Sequence, residues 1–273
     1  MSFSDAKSWA NEMFGMCKLK DQRRTSRLVR IAEHVAENPA AGFPDQLETW
    51  ADLKAAYRLF DSPDVTFANV ASGHWRHTRQ LATGRTLVIC DTTEIDFGGR
   101  REIAGVGPTG NGSGQGFLLH NALMVDADSR AILGIAGQTI HYRPKKKVSK
   151  KENRSQRLSR HRESQVWGQV IDDIGQPAED TEYVYVCDRG ADNFEVFCHL
   201  QQQNSDWVIR AKAKNRHLLM VDGGSTTLGG LLKQLTVRGH YDLQLRARPA
   251  QPARTARIEV STGQALIPVP RHK

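Results

Sequence analysis

The sequence lacks any apolar run of about 18 residues, so no membrane-spanning helix is expected. Its first residues, MSFSDAKSWANEMF, lack a basic stretch followed by an apolar one, so no signal peptide is expected. The four cysteines, Cys17, Cys90, Cys187 and Cys198, form no C-x-x-C pair. That argues against a zinc site and a disulfide framework, and for reduced thiols in a cytoplasmic protein. No internal repeat is found. What is present is ordinary for a globular chain: 273 residues, 39% hydrophobic and 25% charged. The net charge of +8 favours a polyanionic partner, with nucleic acid preferred over a membrane surface.

Residues 1–82 read as helical. Asp21 is placed to cap a helix in which Leu28, Ile31, Ala32 and Val35 recur at helical spacing, and Asn38-Pro39 ends it. Further helices are expected over 48–60 and 67–81. The pattern changes at Thr86, where TLVICD reads as a buried strand ending at Asp91. Strands are expected over 118–125 and 132–142, a helix over 158–174, a strand over 183–188, a helix over 192–201 and a strand over 206–211. From about 213 onward the reading is hairpin-like, with strands over 241–247, 254–260 and 265–269. A short helix over 228–235 is capped by Thr226 or Thr227. The boundaries expected are 1–82, 83–212 and 213–273.

Two strand ends carry the chemistry. LVICD and YVCD each deliver a carboxylate, Asp91 and Asp188, where a buried strand emerges. Two carboxylates at one sheet edge repel, and a divalent cation removes that penalty; oxygen ligands of this kind select Mg²⁺ or Mn²⁺. Strand alternation turns Cys90 and Cys187 the other way, into the core. The competing reading makes both aspartates turn formers at strand ends.

The stretches CDTTEIDF at 90–97 and VCDRGAD at 186–192 resemble the two aspartate motifs of bacterial insertion-sequence transposases with a DDE triad. The branch that is most similar contains the transposon-five transposase. KDQRRTSRL at 20–28, AAYRLFDSPDV at 55–65 and DWVIRAKAKNR at 206–216 also look like segments of that branch, and the chain from 248 onward echoes its β-rich insertion. The resemblance implies an α/β fold, a ribonuclease H-like mixed sheet with an all-helical DNA-binding domain before it and a partial β-rich insertion after it. It implies that Asp91 and Asp188 are neighbours that bind Mg²⁺ (or Mn²⁺) and catalyse phosphodiester cleavage and strand transfer at transposon ends. It further implies a homodimer on double-stranded DNA in the bacterial nucleoid, with no membrane partner. The family's third acid is a glutamate within Tyr-x₂-Arg-x₃-Glu-x₆-Lys. No acid after Asp188 stands in that context. The expectation is therefore a chain ending inside the insertion and inactive by itself, or a DNA-binding inhibitor of a full-length transposase. A nuclease completing its site with Glu195 is a third reading.

Basic residues supply the DNA contacts in this reading. Arg23, Arg27 and Arg30 fall on the outer face of the helix after Asp21, with Arg24 beside them and only Asp21 opposing them. Such a face suits phosphate or groove contact, and equally an ordinary solvated surface. Arg189, Arg210 and Lys212 are expected to steady DNA near the aspartates. The segment 143–162 holds ten Lys or Arg and one acid, Glu152, so the rest of the chain is nearly neutral. It reads as a backbone-tracking DNA contact or a solvated loop. Gly105, Gly107 and Gly110 match G-x-G-x-x-G, but Pro108 follows instead of a helix, so a loop is expected. His120 and His141 lack ligand spacing and are expected in core or hydrogen-bonding roles.

Overall fold

The computed structural model describes residues 5–99, 102–145, 155, 162–249 and 251–269. The chain divides into two compact units, Met1–Ile209 and Arg210–Lys273. Thus the helical segment and the sheet share one unit, and the dividing point falls at 209/210.

The first unit begins with four helices: α1 (Ala6–Phe14), α2 (Gln22–Glu37), α3 (Trp50–Phe60) and α4 (Phe67–Leu81). Each starts at a side chain that accepts a backbone N–H left over in the first turn: Asp5, Asp21, Thr49 and Thr66 respectively. The apolar stripe of α2 buries Leu28 and Ile31 against Leu53, Ala56 and Leu59 of α3, with Leu19 completing the cluster.

A mixed sheet follows. Its strands are β1 (Gly84–Asp96), β2 (Gly107–Thr109), β3 (Gly114–Asp126), β4 (Ile132–His141), β5 (Thr181–Cys187) and β6 (Asp206–Ile209). They lie in the order β2-β3-β1-β5-β6, with β4 also paired to β3. The β1–β3 and β3–β4 pairs are antiparallel, whereas β1–β5 and β5–β6 are parallel. The parallel pairs need crossovers, which α5 (Val166–Ile174) and α6 (Phe194–Gln202) supply. Both helices pack on one sheet face, where Val88, Cys90, Ala122, Met124, Tyr185 and Cys187 meet Val170, Ile171, Val196 and Leu200.

Several boundaries differ from expectation. β1 does not stop at Asp91; it continues to Asp96, because β3 pairs with it as far as Asp96. Its parallel pairing with β5 does end there, at Cys90 opposite Cys187. The helix expected over 158–174 is, within the described residues, a 3₁₀ turn at Glu163–Gln165 followed by α5; residues 158–161 lie outside them. The helix expected from 192 starts after Asn193, whose side chain accepts from Val196 N at 3.1 Å.

In the second unit, β7 (His217–Leu219) pairs with β8 (Ser225–Thr227), and β9 (Gly239–Leu245) pairs with β10 (Arg254–Val260). Helix α7 (Leu228–Gln234) opens at Thr227, whose hydroxyl accepts from Gly230 N. No strand forms over 265–269. That stretch contributes a single bridge, Leu219 to Leu266, because β7 is only three residues long and already paired.

Candidate functional site

Asp91 and Asp188 come to the same place because β1 and β5 run parallel, in register, up to Cys90 and Cys187. Alternation turns both thiols into the core, where they are buried. A hydrogen bond to Cys187, followed by burial, pushes the Cys90 thiol well above its ordinary range. The aspartates that follow are exposed. Asp91 and Asp188 line one open cleft of about 400 Å³, together with Thr92, Glu163, Ser164, Trp167 and Gly190.

Each aspartate is oriented by a backbone donor close in sequence. Asp91 Oδ1 accepts from Thr92 N at 2.8 Å, and Asp188 Oδ1 accepts from Gly190 N at 2.7 Å. That leaves the Oδ2 of each without a hydrogen bond among the described residues. Two such oxygens facing one cleft suit a hard divalent cation, which takes oxygen ligands and retains water on its remaining positions. Among the described residues, no group of three His, Cys, Asp or Glu side chains is arranged to hold a metal ion. Glu163 shares the cleft but is engaged by Arg143, whose Nε lies 3.1 Å from it and whose Nη1 lies 2.7 Å from Glu94. Glu195 is not among the cleft residues; it pairs with Arg162 at 3.1 Å.

His120 sits beside this cleft. It is 1% exposed, and its Nδ1 shares a 2.8 Å hydrogen bond with Thr92 Oγ1. Its ring meets that of Trp167 edge-on, with centroids 4.3 Å apart. Burial lowers its pKa to about 4, against a smaller opposing effect of Asp188, so the ring is neutral at physiological pH. Glu163 and Trp167 had no distinguishing signal in the sequence, whereas His120 takes the core and hydrogen-bonding role expected of it and Thr92 lies within the CDTTEIDF stretch. Thr92 and His120 are 28 residues apart and meet only through the β1–β3 register.

The arginines of α2 are placed differently from expectation. Acids beyond Asp21 oppose them. Arg27 meets Asp52 at 2.8 Å, Arg30 meets Asp52 at 3.4 Å and Glu48 at 3.5 Å, and Arg24 meets Asp64 at 2.7 Å. These acids come from α3 and the segments flanking it, folded back against α2. Among the described residues Arg23 pairs with Asp21 alone, and its side chain is 92% exposed. Arg189 is exposed next to Asp188, whereas Arg210 and Lys212 belong to the second unit. Most of the basic segment, 146–154 and 156–161, lies outside the described residues.

Residues 6–65, which hold α1 to α3 and this whole arginine cluster, match the family model described as transposase DNA-binding. The match supports a transposase role, with DNA as a partner, and suggests a DNA-cleaving enzyme. None of the described helices is long and apolar enough to cross a membrane.

Proposed function

We propose that this chain is a DDE-type DNA transposase in which α1 to α4 engage transposon-end DNA and the cleft at Asp91 and Asp188 holds Mg²⁺ or Mn²⁺. The observation that carries the reading is the conjunction of a transposase DNA-binding match over 6–65 with two cleft-facing carboxylates on adjacent parallel strands. The strand order β2-β3-β1-β5-β6, with β4 on β3, supports a ribonuclease H-like sheet. A divalent ion at this place would activate a water or 3′-hydroxyl for in-line attack on phosphorus and neutralise developing charge. Asp91 and Asp188 supply its ligands. Arg189, exposed beside Asp188, steadies the scissile phosphate. A homodimer bridging two DNA ends in the bacterial nucleoid belongs to the same proposal.

Glu163, the third acid lining the cleft, is paired with Arg143. This favours a second reading for the chain taken alone, as a DNA-binding polypeptide that occupies ends without cutting them. Both readings require DNA binding, which fluorescence anisotropy with a generic labelled duplex measures across a salt series. Binding should weaken steeply with salt. Replacing Arg23 and Arg30 by alanine should reduce the slope of log K against log salt by about 0.9 for each phosphate no longer neutralised. A chain that fails to bind duplex even at low salt contradicts both.

A further inference from the structure

The two aspartates are joined by a continuous path of neighbouring groups that bypasses their own strands. Asp91 is held by Thr92 N, and the hydroxyl of the same threonine is held by His120 Nδ1. The His120 ring lies against Trp167. Trp167 in turn lies against Gly190: a Cβ built there would stand 2.8 Å from Trp167 Cζ2 and 3.0 Å from Asp188 Oδ1. Gly190 N closes the path by donating to Asp188.

The geometry points to His120 and Trp167 as positioning residues that set the orientation and separation of the Asp91 and Asp188 carboxylates. This rests on the metal-site reading above.

Three observations support a dedicated brace over ordinary core packing. His120 is buried on the apolar face of β3, between Leu118 and Ala122, where an aliphatic side chain would serve packing without a polar cost. Its Nε2 is buried and makes no hydrogen bond to another described residue. Its Nδ1 hydrogen bond goes to Thr92, the residue that holds Asp91. Trp167 likewise reaches past the helix interface to line the cleft itself. Side chains that hold ligands in place commonly affect metal affinity tenfold to about a hundredfold without touching the ion.

A Mn²⁺ titration of the full chain, followed by the loss of the free-ion electron paramagnetic resonance signal, tests this. The wild type should bind, and Asp91→Asn should abolish that binding. His120→Ala and Thr92→Val should each weaken it by about tenfold or more. His120→Asn, whose amide reaches the position of Nδ1 but cannot meet the Trp167 ring, should recover part of the affinity. Rescue by asparagine separates positioning from bulk, because asparagine restores the bond to Thr92 but not the volume of the ring. Should His120→Ala not fold, Thr92→Val and His120→Asn carry the test. Wild-type affinity in Thr92→Val and His120→Ala, with Asp91→Asn inactive in binding, overturns the brace and leaves the metal site standing. Equal loss in the alanine and asparagine variants assigns His120 a purely structural role and also overturns the brace. A wild type whose binding is indifferent to Asp91→Asn overturns the metal reading, and the brace with it.

Discussion

Asp52 is the residue on which the arginine face of α2 rests. Its carboxylate accepts from the Thr49 hydroxyl at 2.7 Å and from Arg27 at 2.8 Å, and these partners hold it below the ordinary aspartate range, Thr49 having the larger effect. Asp64 is held down in the same way by Lys20 and then Arg24. A depressed folded-state pKa contributes stability that is complete above the unfolded value of about 3.9 and is lost as pH falls through the lower folded value. The helical part should therefore lose stability below about pH 4, and Asp52→Asn should shrink that acid-side loss in a pH series of thermal unfolding. The same geometry separates the arginines by role. Arg27 is 33% exposed and joined to an acid that is 12% exposed, whereas Arg23 is nearly free of cover. Arg27→Ala should lower the unfolding temperature more than Arg23→Ala, and Arg23→Ala should have the larger effect on the DNA salt slope. Near the aspartates, Gly190→Ala should lower Mn²⁺ affinity, because its Cβ would force the Trp167 ring or the Asp188 carboxylate to move; unchanged affinity would show that neither position matters. Some of this was legible in the sequence. The inward thiols follow from the alternation of LVICD and YVCD. The Arg27–Asp52 and Thr92–His120 contacts were not, since each joins residues 25 or more apart through packing or register that local pattern does not encode.

Among the elements, the Arg79 guanidinium ties α4 to α5. Arg79 Nη1 donates to the carbonyls of Asp173 at 2.6 Å and Ile174 at 3.3 Å, at the C-terminal end of α5, while its Nε donates to Trp75 O. Carbonyls at a helix C-terminus lack intrahelical donors and carry partial negative charge, so a cation there satisfies them. Arg79→Met should destabilise the first unit by about 2 kcal/mol, the worth of hydrogen bonds to a charged group, read as a lower urea midpoint at unchanged slope. The helix after Asp21 was readable because a capping aspartate is followed by apolar spacing of 3 and 4, whereas the caps Thr49 and Thr66 emerge only from the structure. Strand ends were less readable. The length of β1 is decided by its antiparallel partner β3, which carries it five residues past Asp91. Helix α1 had no separate expectation, and the strand expected at 265–269 found no partner strand beyond the single bridge at Leu266.

For the whole molecule, the net charge of +8 and the transposase DNA-binding match over 6–65 agree on a nucleic-acid partner. The charge is unevenly spread. Much of it lies in 143–162, and the α2 arginines are offset by acids from the segments around them. Affinity for DNA should consequently be strongly salt-dependent but only partly due to α2. The proposed chemistry resides elsewhere in the first unit, where β1 and β5 deliver Asp91 and Asp188 to one cleft. Isothermal calorimetric titration of Mn²⁺ into the wild type, Asp91→Ala and Asp188→Ala is the decisive test of that pairing. Weak binding to the wild type is predicted, because only two carboxylates face the cleft unpaired, with loss of that binding in each single variant. Three indistinguishable isotherms would contradict it and return both aspartates to the role of turn and cap residues.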